Sequence, residues 1–157
     1  IKNHPRYPYH LLREEMQEFI LDKLQLLIER KLIKGIGENG TEYTVIAQIL
    51  DLPKEILRLI QKFDFTKKNP KLIYINTGET MISLQDSILV TFLNLAGFDI
   101  LFFVPTGYQS VENYFAEKLM EEHQIGEYKY DMQVPDLNNI STNSTRPSWR
   151  RKLFRRG

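Results

Sequence analysis

Cysteine is absent from this 157-residue chain, which excludes a disulfide framework, a thiolate metal site and a cysteine nucleophile. Histidine is scarce: there are three, and no two have the i,i+4 spacing of a helical metal site, so no metal or other cofactor is predicted. No apolar run reaches the ~18 residues that a membrane-spanning helix needs. Hydrophobic residues make up 42% and charged residues 26% of the chain, as is typical of a folded globular domain.

The formal net charge of +1 hides an uneven distribution. All 20 acidic residues precede Ile140, whereas six basic residues follow it without an acid. These six are Arg146, Arg150, Arg151, Lys152, Arg155 and Arg156. We therefore expect an acidic body and a basic tail over residues 141–157. The tail also holds Trp149 and Leu153, and such a mixture suits contact with an anionic membrane surface, with RNA, with an acidic protein patch, or simple docking.

The first half of the chain has helical periodicity. Apolar residues recur at three- and four-residue steps from Leu12 to Ile28, which predicts a helix over residues 9–34. Two shorter helices are predicted over residues 44–50 and 53–63, the second opened by a proline that suits a first helical turn. We expect these three helices to form a helical region over residues 1–69.

The two short helices also share the spacing of a helix-turn-helix. The apolar residues that show it are Ala47, Leu52, Leu57 and Ile60. That alternative would place Lys54 and Arg58 in a DNA groove. However, Asp51 stands where a turn glycine is usual, and an acidic body opposes the phosphate backbone. A plain helical hairpin gives the same pattern, so no nucleic-acid partner is expected.

The second half alternates strands and helices. Strands are predicted over residues 72–75, 100–104 and 128–134, and helices over residues 83–96 and 110–123. The first two strands are uninterrupted apolar runs, which are typical of strands buried on both faces. Strands joined by helices of this length run parallel. We therefore predict an α/β fold in which a Rossmann-like, three-strand parallel βαβαβ unit over residues 70–140 packs with the helical region as one domain.

The predicted ligand site lies where the first two strands end. Parallel sheets bind ligands beyond the carboxyl ends of their strands, and both exit turns here contain Thr-Gly before a predicted helix. The candidate residues are Asn76, Thr77, Gly78, Glu79, Ser83, Thr106, Gly107 and Tyr108. They favour a phosphorylated or nucleotide-linked metabolite, although Glu79 suits a sugar hydroxyl better than a phosphate. Neither turn matches GxGxxG or GxxxxGK[ST], so two ordinary turns remain the alternative.

No catalytic residue is predicted. The sequence has no Ser-His-Asp arrangement and no GxSxG motif, and its adjacent acid pairs, such as Glu14 and Glu15, diverge on a helix. The sequence therefore leaves open whether the protein is an enzyme. A non-catalytic scaffold or docking module is the rival hypothesis to a metabolite-binding part of an enzyme.

Several spaced blocks together resemble the YceG-like family. They are Pro70–Ile75, Ser83–Asp86, Leu95–Ile100, Pro105–Tyr108, His123–Tyr128 and Leu153–Arg156. The resemblance implies a cytoplasmic protein, of which this chain would be the C-terminal part. It also implies a component of a biosynthetic module encoded beside bacterial tellurite-resistance and stress genes, with other products of that operon as partners. It supplies no catalytic motif that transfers to residues of this chain.

Overall fold

The computed structural model of the protein describes residues 1–62, 68–78, 82–108 and 112–133. Its elements in chain order are α1 (Glu14–Glu29), α2 (Thr41–Ile49), α3 (Lys54–Lys62), β1 (Lys71–Ile75), α4 (Leu84–Leu95) and β2 (Asp99–Phe103). The four predicted helices that precede residue 97 and the first two predicted strands are therefore present, with shifted ends. The tail over residues 141–157 lies outside the described residues.

The helix α1 buries one apolar face and ends earlier than predicted. Met16, Ile20, Leu24 and Leu27 follow each other at three- and four-residue steps, and all four are buried. Lys31 then adopts a positive φ of 50°, a left-handed conformation that cannot continue a right-handed helix. The helix therefore ends at Glu29, five residues before the predicted end.

The segment before α1, residues 1–13, contains two prolines and takes part in the hydrophobic core. Tyr7 and Tyr9 are both 4% exposed and belong to the main hydrophobic cluster. The Tyr9 hydroxyl donates to the carbonyl of Ile49 at 2.6 Å and accepts the N–H of Leu52 at 2.9 Å. These two hydrogen bonds join the segment before α1 to the turn between α2 and α3.

The strands β1 and β2 run parallel, and α4 connects them. Their register pairs Lys71 with Asp99 and Ile75 with Phe103. Ser83 begins α4 because its hydroxyl accepts the N–H of Asp86 at 3.0 Å, which satisfies one free donor of the first turn. The helix packs against α1, α2 and β2. Its fully buried side chains are Ser87, Ile88, Phe92 and Leu93.

The predicted three-strand Rossmann-like unit is wrong, because the residues that the structure describes form a sheet of two strands. Residues 128–133, the described part of the predicted third strand, form no strand. Their alternation of Tyr128, Tyr130 and Met132 with polar residues fits a strand, but a strand also requires a ladder of backbone hydrogen bonds to a neighbouring strand. Here the segment gives one backbone hydrogen bond to the sheet region, from the N–H of Lys129 to the carbonyl of Pro105 at 2.8 Å.

The predicted helix over residues 110–123 is also wrong in its described part, residues 112–123. Phe115 instead forms an antiparallel bridge with Ile33. Hydrogen bonds of 2.9 Å join the N–H of Lys34 to the carbonyl of Tyr114 and the N–H of Ala116 to the carbonyl of Leu32. Burial of the Phe115 ring in the core thus decides the conformation, since a tertiary contact overrides local helix propensity.

Candidate functional site

The exit turns of β1 and β2 lie side by side at one end of the sheet. The parallel pairing continues one residue past β1, where the N–H of Asn76 donates to the carbonyl of Phe103 at 2.9 Å. Residues 76–78 and 104–108 therefore leave the sheet in the same direction. We call these two turns together the carboxyl-end edge; it contains six of the eight predicted ligand residues.

The first exit turn is held by its own asparagine. The Oδ1 atom of Asn76 accepts the N–H of Gly78 at 3.2 Å, which closes a tight turn. Thr77 is half-buried and Gly78 is exposed. Glu79, the acidic residue of the predicted site, lies outside the described residues.

The second exit turn needs its glycine. Gly107 has a φ of +68° and donates its N–H to the carbonyl of Val104 at 3.0 Å. Thr106 is buried, and its hydroxyl accepts the N–H of Tyr108 at 3.4 Å, so it shapes the turn from within. Tyr108 itself is exposed. The open surface of this turn is thus main chain and tyrosine ring rather than a threonine hydroxyl.

The N-terminus of α4 already holds a carboxylate. The Oδ2 atom of Asp86 accepts the Ser83 hydroxyl proton at 2.7 Å, in the first turn of the helix. A carboxylate there meets the positive end of the helix dipole, the role that the sequence suggested for a bound anion. Burial, and then the neighbouring Asp86 carboxylate, raise the pKa of Tyr74. Ser83 therefore serves as the helix cap, and the α4 N-terminus is a poor place for a phosphate.

Two residues that contact the carboxyl-end edge were not predicted from the sequence. The ring of Tyr128 lies directly on Gly107, and a Cβ atom at position 107 would clash with Cε1 of that ring. The next residue, Lys129, hydrogen-bonds to Pro105 through its N–H and has an exposed side chain. Sequence spacing gives no signal for this contact, because about 20 residues separate its two sides.

The sheet presents an exposed apolar face. Four side chains form it, each between 40% and 59% exposed: Ile73, Ile75, Leu101 and Phe103. The expectation of strands buried on both faces is therefore wrong, because α4 and its neighbours cover only the other face. At one end of the exposed face Lys71 donates to Asp99 at 2.6 Å, and this bond, with a further one from Asn69, lowers the pKa of Asp99.

Two hollows lie along α1, away from the carboxyl-end edge. The larger, about 410 Å³, lies between the helix and the first two residues, Ile1 and Lys2. The smaller, about 200 Å³, lies between α1 and Ile60 of α3. Both are lined mainly by apolar side chains with a few charged groups at the rim. Neither brings together side chains suited to a reaction.

The described residues contain neither a metal-ligand cluster nor a helix that could span a membrane. Nowhere in the described ranges do three His, Asp or Glu side chains gather as metal ligands. Among the same residues, no helix has the length and apolar character required to cross a bilayer. The two residues proposed for a DNA groove, Lys54 and Arg58, are both exposed on α3.

The chain belongs to the YceG domain family, whose model matches residues 1–145. It is 31% identical over 93 residues to a protein of Bacillus subtilis (strain 168) named "Uncharacterized protein YceG". The matched part is 57% of this chain and 17% of that relative, so the chain spans less than a fifth of the relative's length. No solved structure matches the chain. The predicted resemblance to the YceG-like family is thereby confirmed.

Proposed function

We propose that the carboxyl-end edge binds a phosphorylated or nucleotide-linked metabolite, as one part of a larger YceG protein. The observation that carries this proposal is the hydrogen bond from Asn76 to the Phe103 carbonyl, which sets the two exit turns side by side. Ligands of open parallel sheets bind at such an edge. Main-chain groups of Gly78 and Gly107 would meet the ligand, because neither residue carries a side chain.

The chemistry of the edge favours a ligand with hydroxyl groups and a planar ring in addition to any phosphate. Asp86 occupies the α4 N-terminus, so a phosphate would lie toward the second exit turn rather than against α4. The exposed ring of Tyr108 suits stacking with a planar group. We therefore place a nucleotide-linked compound ahead of a simple phosphate ester.

Calorimetry tests this proposal with UDP-glucose, CDP-glycerol and ribose 5-phosphate as probes. We expect heat of binding from at least one of them, and loss of that heat in Gly78→Val and Gly107→Val. Gly126→Val is the matched control, since Gly126 has open space around its Cβ position and an ordinary φ. Binding that survives both edge substitutions would remove the proposed site, and absence of heat from all three probes would contradict the function.

A docking or scaffold role is the second candidate, and the exposed apolar sheet face supports it. Parallel sheets are covered on both faces in folded proteins, so the face with Leu101 and Phe103 suits contact with another part of a longer YceG protein. In this chain Leu101→Ser should change the free energy of unfolding by less than about 0.5 kcal/mol, because the side chain is exposed. In a longer YceG protein that contains this sequence, the same change should cost roughly 2 kcal/mol if the face is covered. Equal effects in both proteins would contradict docking at this face.

The biological setting remains part of the proposal and rests on family membership alone. We propose a cytoplasmic protein in a biosynthetic module encoded beside tellurite-resistance and stress genes, with products of that operon as partners. Deletion of the gene should lower survival on tellurite, and the wild-type gene should restore it better than a gene with Gly78→Val.

Contact of the basic tail with an anionic membrane is a further proposal, for which vesicle binding with and without residues 141–157 is the test.

A further inference from the structure

The segment that follows Phe115 is attached firmly at its beginning and weakly at the carboxyl-end edge. We call residues 121–133 the strap, because Met120 before them still packs against the core and donates its N–H to the Glu112 carboxylate at 3.1 Å. Just before it, two backbone hydrogen bonds flank the buried ring of Phe115, and Nζ of Lys34 donates to the carbonyl of Asn113 at 2.7 Å. The strap itself contains no helix or strand in the structure, and nearly all of its side chains are exposed.

The strap meets the carboxyl-end edge through two adjacent residues. Lys129 contributes the backbone hydrogen bond to Pro105, and Tyr128 contributes a ring that remains 56% exposed although it lies on Gly107. The apolar side chains on either side, Ile125 and Tyr130, are exposed and add little burial. A contact made of one hydrogen bond and a half-exposed ring opens far more readily than the Phe115 attachment.

Tyr128 occupies the space that a ligand of the second exit turn needs. Its ring would clash with any Cβ at position 107, so the ring lies against the main chain there and excludes other groups. A ligand that contacts the Gly107 main chain must first displace the ring. We propose that the strap is a hinged cover, anchored at Phe115, which closes the carboxyl-end edge through Tyr128 and opens to admit the ligand.

This inference rests on the proposed function for the identity of what enters, but the opening itself is measurable without a ligand. Amide hydrogen exchange of the intact chain should show Lys129 exchanging at least 100-fold faster than Leu93 in α4, through local opening rather than global unfolding. Tyr128→Ala should speed exchange at Lys129 several-fold further, whereas Tyr130→Ala, the neighbouring exposed tyrosine, should leave it unchanged. Exchange of Lys129 and Leu93 at one common rate, set by global unfolding, would overturn the hinged cover.

Ligand access is tested by locking the strap. The chain has no cysteine, so Pro105→Cys with Lys129→Cys introduces the one thiol pair, at positions that a backbone hydrogen bond already holds together. With UDP-glucose as the probe, we expect the oxidised double variant to lose binding and the reduced form to regain it. We also expect Tyr128→Ala to bind the probe several-fold more tightly than the wild type, because the competing ring is gone.

The outcomes separate the two proposals. If the wild type binds UDP-glucose and oxidation changes nothing, the ligand site stands and the cover is wrong. If Tyr128→Ala binds more weakly, the ring is a platform for the ligand and the cover is again wrong. If neither UDP-glucose nor the other two probes bind while Lys129 still opens locally, the proposed function fails and the hinged strap remains.

Discussion

The rings of Tyr7 and Tyr9 pack edge to face, with centroids 5.9 Å apart and planes at 80°, yet their hydroxyl groups have opposite surroundings. The Tyr9 hydroxyl bridges the Ile49 carbonyl and the Leu52 N–H. The Tyr7 hydroxyl is buried and has no hydrogen-bond partner among the described residues. One tyrosine thus stabilises the turn between α2 and α3, whereas the other contributes its ring and carries an uncompensated polar atom.

Removal of the two hydroxyls should therefore have opposite effects on stability. Tyr9→Phe should lower the free energy of unfolding by about 1–3 kcal/mol, because it leaves a buried carbonyl and a buried N–H without their shared partner. Tyr7→Phe is the matched control and should leave stability unchanged or raise it by up to about 1 kcal/mol. Urea denaturation followed by circular dichroism measures both. A Tyr9→Phe variant as stable as the wild type would show that the bridge contributes nothing.

Alkaline pH should weaken the fold through Tyr9. Burial first, together with the nearby Asp51 and Tyr7, raises the pKa of Tyr9 to about 12, from 10.0 in an exposed tyrosine. The unfolded chain loses this proton more readily than the folded one, so the stability that Tyr9 contributes is complete below about pH 10 and is lost as the pH rises to about 12. The loss is at most roughly 2–3 kcal/mol.

Urea titrations at pH 8 and at pH 11 check the alkaline effect. The decrease in the free energy of unfolding should be smaller in Tyr9→Phe than in the wild type. A residual decrease should remain in the variant, because burial also raises the pKa of Tyr7 and Tyr74. An equal decrease in both proteins would show that Tyr9 is not its source.

The hydrogen bond that caps α4 should contribute measurably to the free energy of unfolding. Ser83→Ala removes the acceptor for the Asp86 N–H and should lower the free energy of unfolding by about 1 kcal/mol. Gln85→Ala, at an exposed position in the same turn, is the control and should change it by less than about 0.5 kcal/mol. Thermal unfolding of both variants makes the comparison. If Ser83→Ala behaves like Gln85→Ala, the cap is energetically unimportant.

A charge at the centre of α4 should prevent folding. Phe92 is fully buried, so Phe92→Asp places an unpaired carboxylate in the core and should abolish the cooperative thermal transition. Leu89→Asp should have a smaller effect, because Leu89 is half-buried. Gln85→Asp, on the exposed side, should keep the wild-type transition. A Phe92→Asp protein with an unchanged unfolding midpoint would contradict the position of α4 in the core.

Local patterns were sufficient for the elements whose stabilising contacts are close in sequence. The three- and four-residue steps from Leu12 to Ile28 identified α1, and the helix predicted over residues 83–96 corresponds to α4. The apolar runs over residues 72–75 and 100–104 identified the parallel strands, and hence the end of the sheet where we propose that a ligand binds. The end of α1 was missed, because the positive φ of Lys31 leaves no mark in the hydrophobic pattern.

By itself, the sequence determined the four helices α1 to α4 and the two parallel strands, and that the chain belongs with the YceG proteins. Only the tertiary structure decided that the alternating segment from Tyr128 to Met132 stays outside the sheet, that Phe115 bridges to Ile33, and that one sheet face remains exposed. The reason is physical: the backbone hydrogen bonds of a helix join groups that are four residues apart, so the local sequence specifies them. Residues far apart in sequence decide the other features, namely the third strand that residues 128–133 do not form, the uncovered sheet face and the tyrosine ring on Gly107. They do so because distant groups compete for the same partner.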